Sequence, residues 1–183
     1  MKSVLLKLIA ASAVVALLLS GCSKTNINSS LAGSYVVSNM SELLELSPSE
    51  KSAIVILKGY YESNDGGGGT FYYDAESQLE ADGGTVIKSD KVNGLFVRDC
   101  EENYVNVKWF GAMGDGANDD TAAIQAAIDS LPENGGTVSL PGGKYAITSA
   151  LNIGDGNTGD KTSTKHGVKL IGMGGGFSHN VEA

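Results

Sequence analysis

From Tyr35 onward the chain alternates short apolar runs with polar or glycine-rich breaks, the pattern of a protein built mainly from short strands. Ser41, followed by Glu42, Leu43, Leu44 and Leu46, predicts a capped helical turn or two. The run Ser52-Ala-Ile-Val-Ile-Leu57 is apolar and rich in β-branched residues, so it predicts a buried strand. Tyr60-Tyr61 and Thr70-Phe71-Tyr72-Tyr73 flank the polar segment Glu62 to Gly69, and two aromatic strands joined as a hairpin are expected there. Gly83-Gly84-Thr85-Val86-Ile87 and Leu95-Phe96-Val97 predict two more short strands. Residues 35–104 thus read as a small β-rich module.

The pattern changes at residues 105–129, VNVKWFGAMGDGANDDTAAIQAAID. Val105, Val107, Trp109 and Phe110 predict a strand with an apolar face, and Gly111 to Gly116 interrupt regular structure. Asn118-Asp119-Asp120-Thr121 then opens a helix. Asp119 or Asp120 is placed to accept from first-turn N–H groups and to favour the positive end of the helix dipole. Ile124, Ile128 and Leu131 recur at i, i+4 and i+7, beside Ala123 and Ala127, making one narrow apolar stripe that ends before Pro132 and Gly135-Gly136. Val138 with Leu140, Tyr145 with Ile147, Leu151 with Ile153, and Val168 with Leu170 each share one face of a short segment. Strands this short, separated by turns unlike two-residue hairpins, suit a chain coiling around a stacked parallel sheet.

Ahead of these elements, Lys2 and Lys7 precede an apolar stretch from Leu8 to Leu19, too short to span a bilayer as a helix. Leu19-Ser20-Gly21-Cys22 follows and resembles the lipobox of bacterial lipoproteins. That resemblance implies a signal peptide over residues 1–21, lipidation of Cys22 and a lipid membrane as partner. Export to the cell envelope is expected, and Ser23 fits sorting to the outer membrane. Residues 22–34, rich in Ser and Asn, read as a polar tether. Loss of Lys2 and Lys7 takes the formal net charge from −8 to −10. A chain this acidic, without clustered Lys and Arg, excludes nucleic acid as a partner. With Cys22 acylated, Cys100 has no partner for a disulfide, and a small buried or semi-buried thiol is expected rather than a nucleophile.

The run Trp-Phe-Gly-Ala, Gly-Asp-Gly, Asp-Asp-Thr and Ala-Ile-Gln-Ala-Ala-Ile-Asp, followed by Gly-Gly-Thr-Val and Leu-Pro-Gly-Gly-Lys-Tyr, resembles the start of the pectate-lyase-like right-handed β-helix family. The resemblance is greatest to its rhamnogalacturonase, epimerase and tailspike-like members and covers residues 105 to about 176. Residues 59–74 and 83–89 are similar to the module that precedes the β-helix in tailspike-like proteins. The implied fold class is mostly β: a small N-terminal β module, a capping helix, and the first one to two coils of a right-handed parallel β-helix over residues 105–183. In such proteins the helix covers the open end, which otherwise exposes apolar side chains and unpaired backbone, and Gly135-Gly136-Thr137-Val138 begins the first coil. The resemblance also implies a polysaccharide partner, a homotrimer of the tailspike kind, and lyase, hydrolase or epimerase chemistry in full-length relatives. Calcium is a cofactor of some of them, but no residue here matches a site for it.

Catalytic carboxylates in the polysaccharide-cleaving members stand on later coils, and no position in this chain matches them. No catalytic, cofactor-binding or metal-binding residue is therefore assigned, and Asp115, Asp119 and Asp120 are read as turn and capping groups. From Gly135 onward the sequence holds 49 residues, two coils at most, so an N-terminal portion of a longer protein or a truncated gene product is expected. A non-enzymatic, tailspike-like glycan-binding or structural module is the alternative function, and an inert fragment the third reading. Other motifs fall away on context. Gly66 to Gly69 lie between strands without a following helix or Lys-Ser/Thr, which favours a left-handed turn over a phosphate cradle. Asp155, Asn157, Gly159, Asp160 and His166 depart from the EF-hand pattern after its first and third positions. Gly172-Met-Gly174-Gly-Gly176 lacks the helix a dinucleotide fingerprint needs. Among Tyr60, Tyr61, Tyr72 and Tyr73, alternation directs half into the β core and leaves half available to stack on sugars.

Overall fold

The computed structural model describes residues 33–153, 165 and 167–172. The signal peptide, Cys22, nearly all of the tether, the Asp155–Asp160 loop, His166, His179 and the glycines after Gly172 lie outside these residues. Ten strands, two α-helices and a 3₁₀ turn are arranged around two hydrophobic clusters among the described residues.

The first cluster lies under a five-stranded sheet of order β1-β2-β3-β5-β4. Strand β1 (Ser34–Val37) runs parallel to β2 (Ser52–Leu57), and the crossover between them carries α1 (Met40–Glu45). Strands β3 (Gly69–Asp74), β4 (Val86–Lys88) and β5 (Leu95–Arg98) complete the sheet in antiparallel pairings. The N-cap of α1 is Asn39, not Ser41: its Oδ1 accepts from the Glu42 N–H at 3.0 Å. Glu42 accepts in turn from the Ser38 N–H at 2.6 Å, so one carboxylate and one amide satisfy donors on both sides of the helix start. This arrangement turns Met40 and Leu43 onto the sheet.

Strand β2 alternates instead of being buried throughout. Ala53, Val55 and Leu57 face the core, while Ser52, Ile54 and Ile56 face outward. The hairpin partner of β3 is β2, with Val55 opposite Phe71, and Tyr60-Tyr61 lie in the connecting loop. Pairing through the longer β2 run satisfies six residue positions on each strand, more than a two-residue tyrosine segment offers. Period-two alternation then buries Tyr73 and exposes Tyr72, dividing that pair as expected.

The second cluster is enclosed by parallel ladders. Strand β8 (Gly136–Leu140) is flanked in parallel by β6 (Tyr104–Asn106) and β10 (Val168–Gly172), while β7 (Asp115–Asp119) pairs in parallel with β9 (Lys144–Ala146). Val105, Val138 and Leu170 occupy one register position on three successive rungs, at 4%, 0% and 38% exposure. The ladder is closed on the β6 side and open on the β10 side among the described residues. Residues 105–110 are not one strand. The chain leaves β6 after Asn106 for the 3₁₀ turn Val107–Phe110, which ends at Gly111 in the left-handed region at φ 94°. The first rung of this sheet is therefore β6, one turn of the coil before Gly135-Gly136.

Helix α2 (Thr121–Ser130) seals the interior, with Ile124, Ala127, Ile128 and the following Leu131 all buried against Val107 and Val138. Removing side chains of this size from water stabilises by roughly 1.5–3 kcal/mol each. Ile147 and Ile153 do not join that interior. They lie beyond the end of β9 and are about half exposed, because no ladder partner holds their backbone in register. Ile128→Ala is expected to destabilise the fold by about 2–5 kcal/mol, against at most about 0.5 kcal/mol for Ile54→Ala on the outer sheet face. Urea unfolding followed by circular dichroism measures both.

Candidate functional site at the junction of the two cores

The chain contains a single arginine, Arg98, and a single tryptophan, Trp109. Arg98 ends β5 with its side chain 5% exposed, and its guanidinium lies between two rings, 4.4 Å from the Phe71 centroid and 4.6 Å from that of Trp109. Phe71 belongs to the first core and Trp109 packs against the second. The guanidinium donates to three backbone carbonyls: Nε to Gly84 at 2.9 Å, Nη1 to Gly68 at 2.8 Å and Nη2 to Gly67 at 3.2 Å. Among the described residues no carboxylate pairs with it directly. Burial draws its pKa down from 12.5 to about 10, partly opposed by Cys100 and Asp82, and it remains a cation at neutral pH.

The glycine-rich loop is thereby a cradle, for a guanidinium rather than a phosphate. Gly66 is left-handed at φ 93°, as a tight turn requires. Gly67 and Gly68 are glycine for a different reason. A Cβ on Gly67 would stand 2.5 Å from Tyr60 Cβ, and one on Gly68 would stand 2.7 Å from the Leu57 carbonyl oxygen. Close approach of backbone to backbone is what presents their carbonyls to Arg98. Gly84 makes the matching approach on the other side, where a Cβ would sit 2.5 Å from the Phe110 ring.

Asp65 organises the segment before the glycines. Its Oδ1 accepts from the N–H groups of Tyr60 and Gly67, and its Oδ2 from those of Tyr61 and Glu62, at 2.7 to 3.1 Å. Burial alone would push this carboxyl up, but the four N–H groups outweigh it and hold the pKa below the ordinary value. The clamp fixes the backbone that carries Tyr60 and Tyr61, whose rings meet edge to face at 4.8 Å. Tyr61 Oη donates to the Gly111 carbonyl at 3.0 Å, tying this loop to the start of the parallel ladder. Between loop and ladder is a cleft of about 330 Å³ lined by Tyr60, Tyr61, Glu62, Asp65, Lys108, Ala112 and Met113. Lys108 Nζ donates to the Met113 carbonyl at 2.9 Å.

The three aspartates near α2 are committed to the backbone, in roles redistributed from the sequence reading. Asp120 is the N-cap by position but makes no side-chain capping bond. Its buried carboxylate accepts instead from Met113 N–H at 2.6 Å and Gly114 N–H at 3.1 Å, holding the loop before β7 against the helix. Asp119 accepts from the Thr121 N–H at 3.0 Å and from the hydroxyls of Thr121 and Thr148. Asp115 accepts from the N–H groups of Ala117 and Asn118 and from the Asn118 side-chain amide. These bonds, led by the Asn118 N–H for Asp115 and the Thr121 hydroxyl for Asp119, lower both pKa values from 3.8 to about 2. Among the described residues no group of three or more His, Cys, Asp or Glu is placed to hold a metal ion, and no helix is long and apolar enough to cross a membrane.

Cys100 is exposed, contrary to the buried or semi-buried thiol expected from the sequence. The buried position at the end of β5 is taken by Arg98, and Cys100 falls beyond the strand on the surface. Desolvation raises its pKa despite the nearby Arg98, and Asp82 and Asp99 push it further up, so a nucleophilic thiolate is disfavoured. Sequence reasoning missed Arg98 and Lys108 as joint-forming groups. The available signal was a lone arginine closing an apolar strand, since such a position buries the head group unless partners are supplied.

Comparison with known proteins follows the same division of the chain. Residues 36–101 match the family described as phage tail protein small four-stranded beta-sheet domain, and residues 104–179 match rhamnogalacturonase A/epimerase, pectate lyase-like. Mannuronan C5-epimerase AlgE3 of Azotobacter vinelandii is 42% identical over 107 residues, covering 56% of this chain and 5% of that protein. AlgE4 of the same organism is 51% identical over 72 residues, covering 39% and 12%. A capsule K3-specific depolymerase of Klebsiella phage KP32 is 33% identical over 108 residues, covering 55% and 11%. The chain thus spans about a tenth or less of the length of these relatives. Among solved structures, the tailspike of an Acinetobacter phage superimposes with TM-score 0.56 at 23% identity, covering 77% of this chain and 22% of that one. The Pantoea stewartii glycan biofilm modifying enzyme WceF, of tailspike-like parallel β-helix fold, superimposes with TM-score 0.54 at 22% identity, covering 66% and 18%. Residues 104–179 are thus similar to the rhamnogalacturonase A/epimerase, pectate lyase-like family, and the fold is mostly β, of the tailspike-like parallel β-helix kind.

Arg98→Met is expected to cost about 3 kcal/mol in chemical denaturation, since three carbonyls lose their donor at about 1 kcal/mol each. Arg98→Lys, which reaches fewer of them, is expected to recover only about a third of that. The lowered carboxyl pKa values make a contribution to stability that is complete above pH 3.8 and is lost as pH falls towards about 2. A melting-temperature series across that window should show the decline, and Asp115→Asn combined with Asp119→Asn should flatten it.

Proposed function

We propose that the protein is a surface-anchored, carbohydrate-active β-helix protein of the pectate-lyase-like kind, with a uronate-containing or capsular polysaccharide as its partner. The observation that carries this reading is the parallel β6–β8–β10 ladder sealed by α2, formed by the residues that match the rhamnogalacturonase and epimerase family. Its relatives include proteins named for mannuronan epimerisation and capsule depolymerisation, which makes a polysaccharide the partner of choice. Cys22 is proposed as the acylated anchor and residues 22–34 as the tether that holds the folded part off a bacterial outer membrane.

The described residues supply the entrance and lid of the solenoid and not its chemistry. Glycoside hydrolysis needs two carboxyl groups facing a shared substrate, whereas Asp65, Asp115, Asp119 and Asp120 spend their oxygens on backbone and hydroxyl donors of their own chain. Catalytic groups are therefore assigned to coils beyond those described. A second reading, glycan binding without turnover, is favoured by the cleft beside Tyr61, which has an aromatic wall and in which, of the two carboxylates Glu62 and Asp65, the latter is taken up by four backbone N–H groups.

The 183-residue chain, incubated with alginate, pectin, rhamnogalacturonan and capsular polysaccharide, is expected to bind at least one of them without forming product. Unsaturated ends, new reducing ends and the C5 configuration by NMR measure turnover. Turnover by this chain would overturn the assignment of catalysis to other coils, and failure to bind any of the four would overturn the polysaccharide reading.

A further inference from the structure

We infer that the cleft between the Asp65-clamped loop and the start of the parallel ladder is a saccharide subsite for a neutral pyranose. This rests on the glycan-binding reading above and deepens it by naming the class of sugar taken at the joint between the two cores. Tyr61 is 51% exposed although its backbone N–H is held by Asp65 and its hydroxyl by the Gly111 carbonyl. An exposed ring anchored at both ends loses little conformational freedom when a ligand covers it. Half-buried Tyr60 backs it edge-on, and exposed Met113 also lines the cleft, so the cleft offers apolar surface from both the loop and the segment before β7. A pyranose presents a matching C–H face to an aromatic ring, while its hydroxyls need both donors and acceptors at the edges.

The polar groups of the cleft supply both. The Lys108 stem lies against Gly66, where a Cβ would come within 2.8 Å of Lys108 Cδ, and its Nζ is aimed by one bond to the Met113 carbonyl. Two N–H bonds of that ammonium stay available to ligand oxygens. Glu62 at the rim accepts from hydroxyl donors, while the Asp65 carboxylate is saturated by backbone N–H groups. One ammonium against two carboxylates gives the lining a net negative charge. Such a lining repels a uronate or a phosphate and accepts an uncharged sugar. At about 330 Å³ the cleft is at the small end of ligand sites, suited to a short saccharide and not to a long chain.

The test is a titration of the full chain, followed by the fluorescence of Trp109 and by NMR, with neutral disaccharides of glucose, galactose, mannose and rhamnose and, in parallel, with oligomannuronate and oligogalacturonate. At least one neutral disaccharide is expected to bind more tightly than either uronate. Tyr61→Ala should weaken that binding roughly tenfold, with Tyr61→Phe recovering most of it because the ring face is kept. Lys108→Met should weaken it by a similar factor, and Tyr72→Ala, on the outer face of the five-stranded sheet, should leave it unchanged. Should Tyr61→Ala fail to fold, Met113→Ala, elsewhere in the same lining, gives the same reading. Absence of any neutral binding, stronger uronate binding, or binding that survives Tyr61→Ala or Met113→Ala would overturn the subsite. Polymer binding that persists in these variants would leave the proposed polysaccharide function standing while the subsite falls, so the two can fail separately.

Discussion

A buried guanidinium without a carboxylate partner among the described residues joins the two cores. Taking a charge out of water costs several kcal/mol unless every donor is satisfied. Arg98 meets that condition with three glycine carbonyls and two aromatic faces. Carbonyl dipoles and ring quadrupoles offset the cation in a way that requires several chain segments at once: the Gly66–Gly69 loop, the Gly84 turn, β3 and the 3₁₀ turn. If any of them moves, the charge is left uncompensated. The relative placement of the two cores is thus coupled to the solvation of one side chain. The same coupling explains why Gly67, Gly68 and Gly69 carry no side chain, as each lets backbone or guanidinium come closer than a Cβ permits, while Gly66 supplies the left-handed turn before them.

On the far side of this joint the parallel ladder faces a different constraint. Parallel strands leave an end at which inward side chains have no next rung to cover them. Helix α2 answers this at one end with Ile124, Ala127 and Ile128, and its position is set less by conventional capping than by Asp120, which ties the helix start to Met113 and Gly114. A buried carboxylate bridging loop and helix fixes their separation, and with it the depth at which the apolar stripe meets Val107 and Val138. Asp115, Asp119 and Asp120 are thus all engaged by backbone and side-chain donors of the same turns. The lowered pKa values of Asp115 and Asp119 express the N–H and hydroxyl donors gathered around them, a hallmark of turns as much as of active sites.

The functional reading follows from this distribution of roles. Among the described residues the joint carries an exposed tyrosine beside a lysine, whereas Asp65, Asp115, Asp119 and Asp120 are engaged by donors of their own chain. A protein of net charge −8 repels anionic polymers at long range, so contact with them depends on local groups rather than on the overall field. The cleft lined by Tyr61 and Lys108 is one such local surface, and its net negative lining suits the uncharged residues of a glycan rather than its anionic ones.

Much of the architecture was written in local patterns. The i, i+4, i+7 spacing of Ile124, Ile128 and Leu131 determined a helix with one buried stripe, and the short apolar pairs determined a mostly β chain with a coiled parallel part. Both signals are properties of neighbouring residues, so they survive without knowledge of the fold. What the sequence did not reveal is whatever depends on partners distant along the chain. Ser52–Leu57 proved to be the hairpin partner of Gly69–Asp74 because pairing length, not aromatic content, selects the register. The cap of α1 moved to Asn39, and Val107–Phe110 turned instead of extending, because Gly111 allows the left-handed exit there. The purpose of the four glycines and the cleft beside Tyr61 emerged only once Arg98, some thirty residues away, was folded beneath them. Periodicity reports which face of an element is apolar. Only tertiary structure decides which polar groups end up sharing the same buried space, because that choice is made by long-range closure and not by local preference.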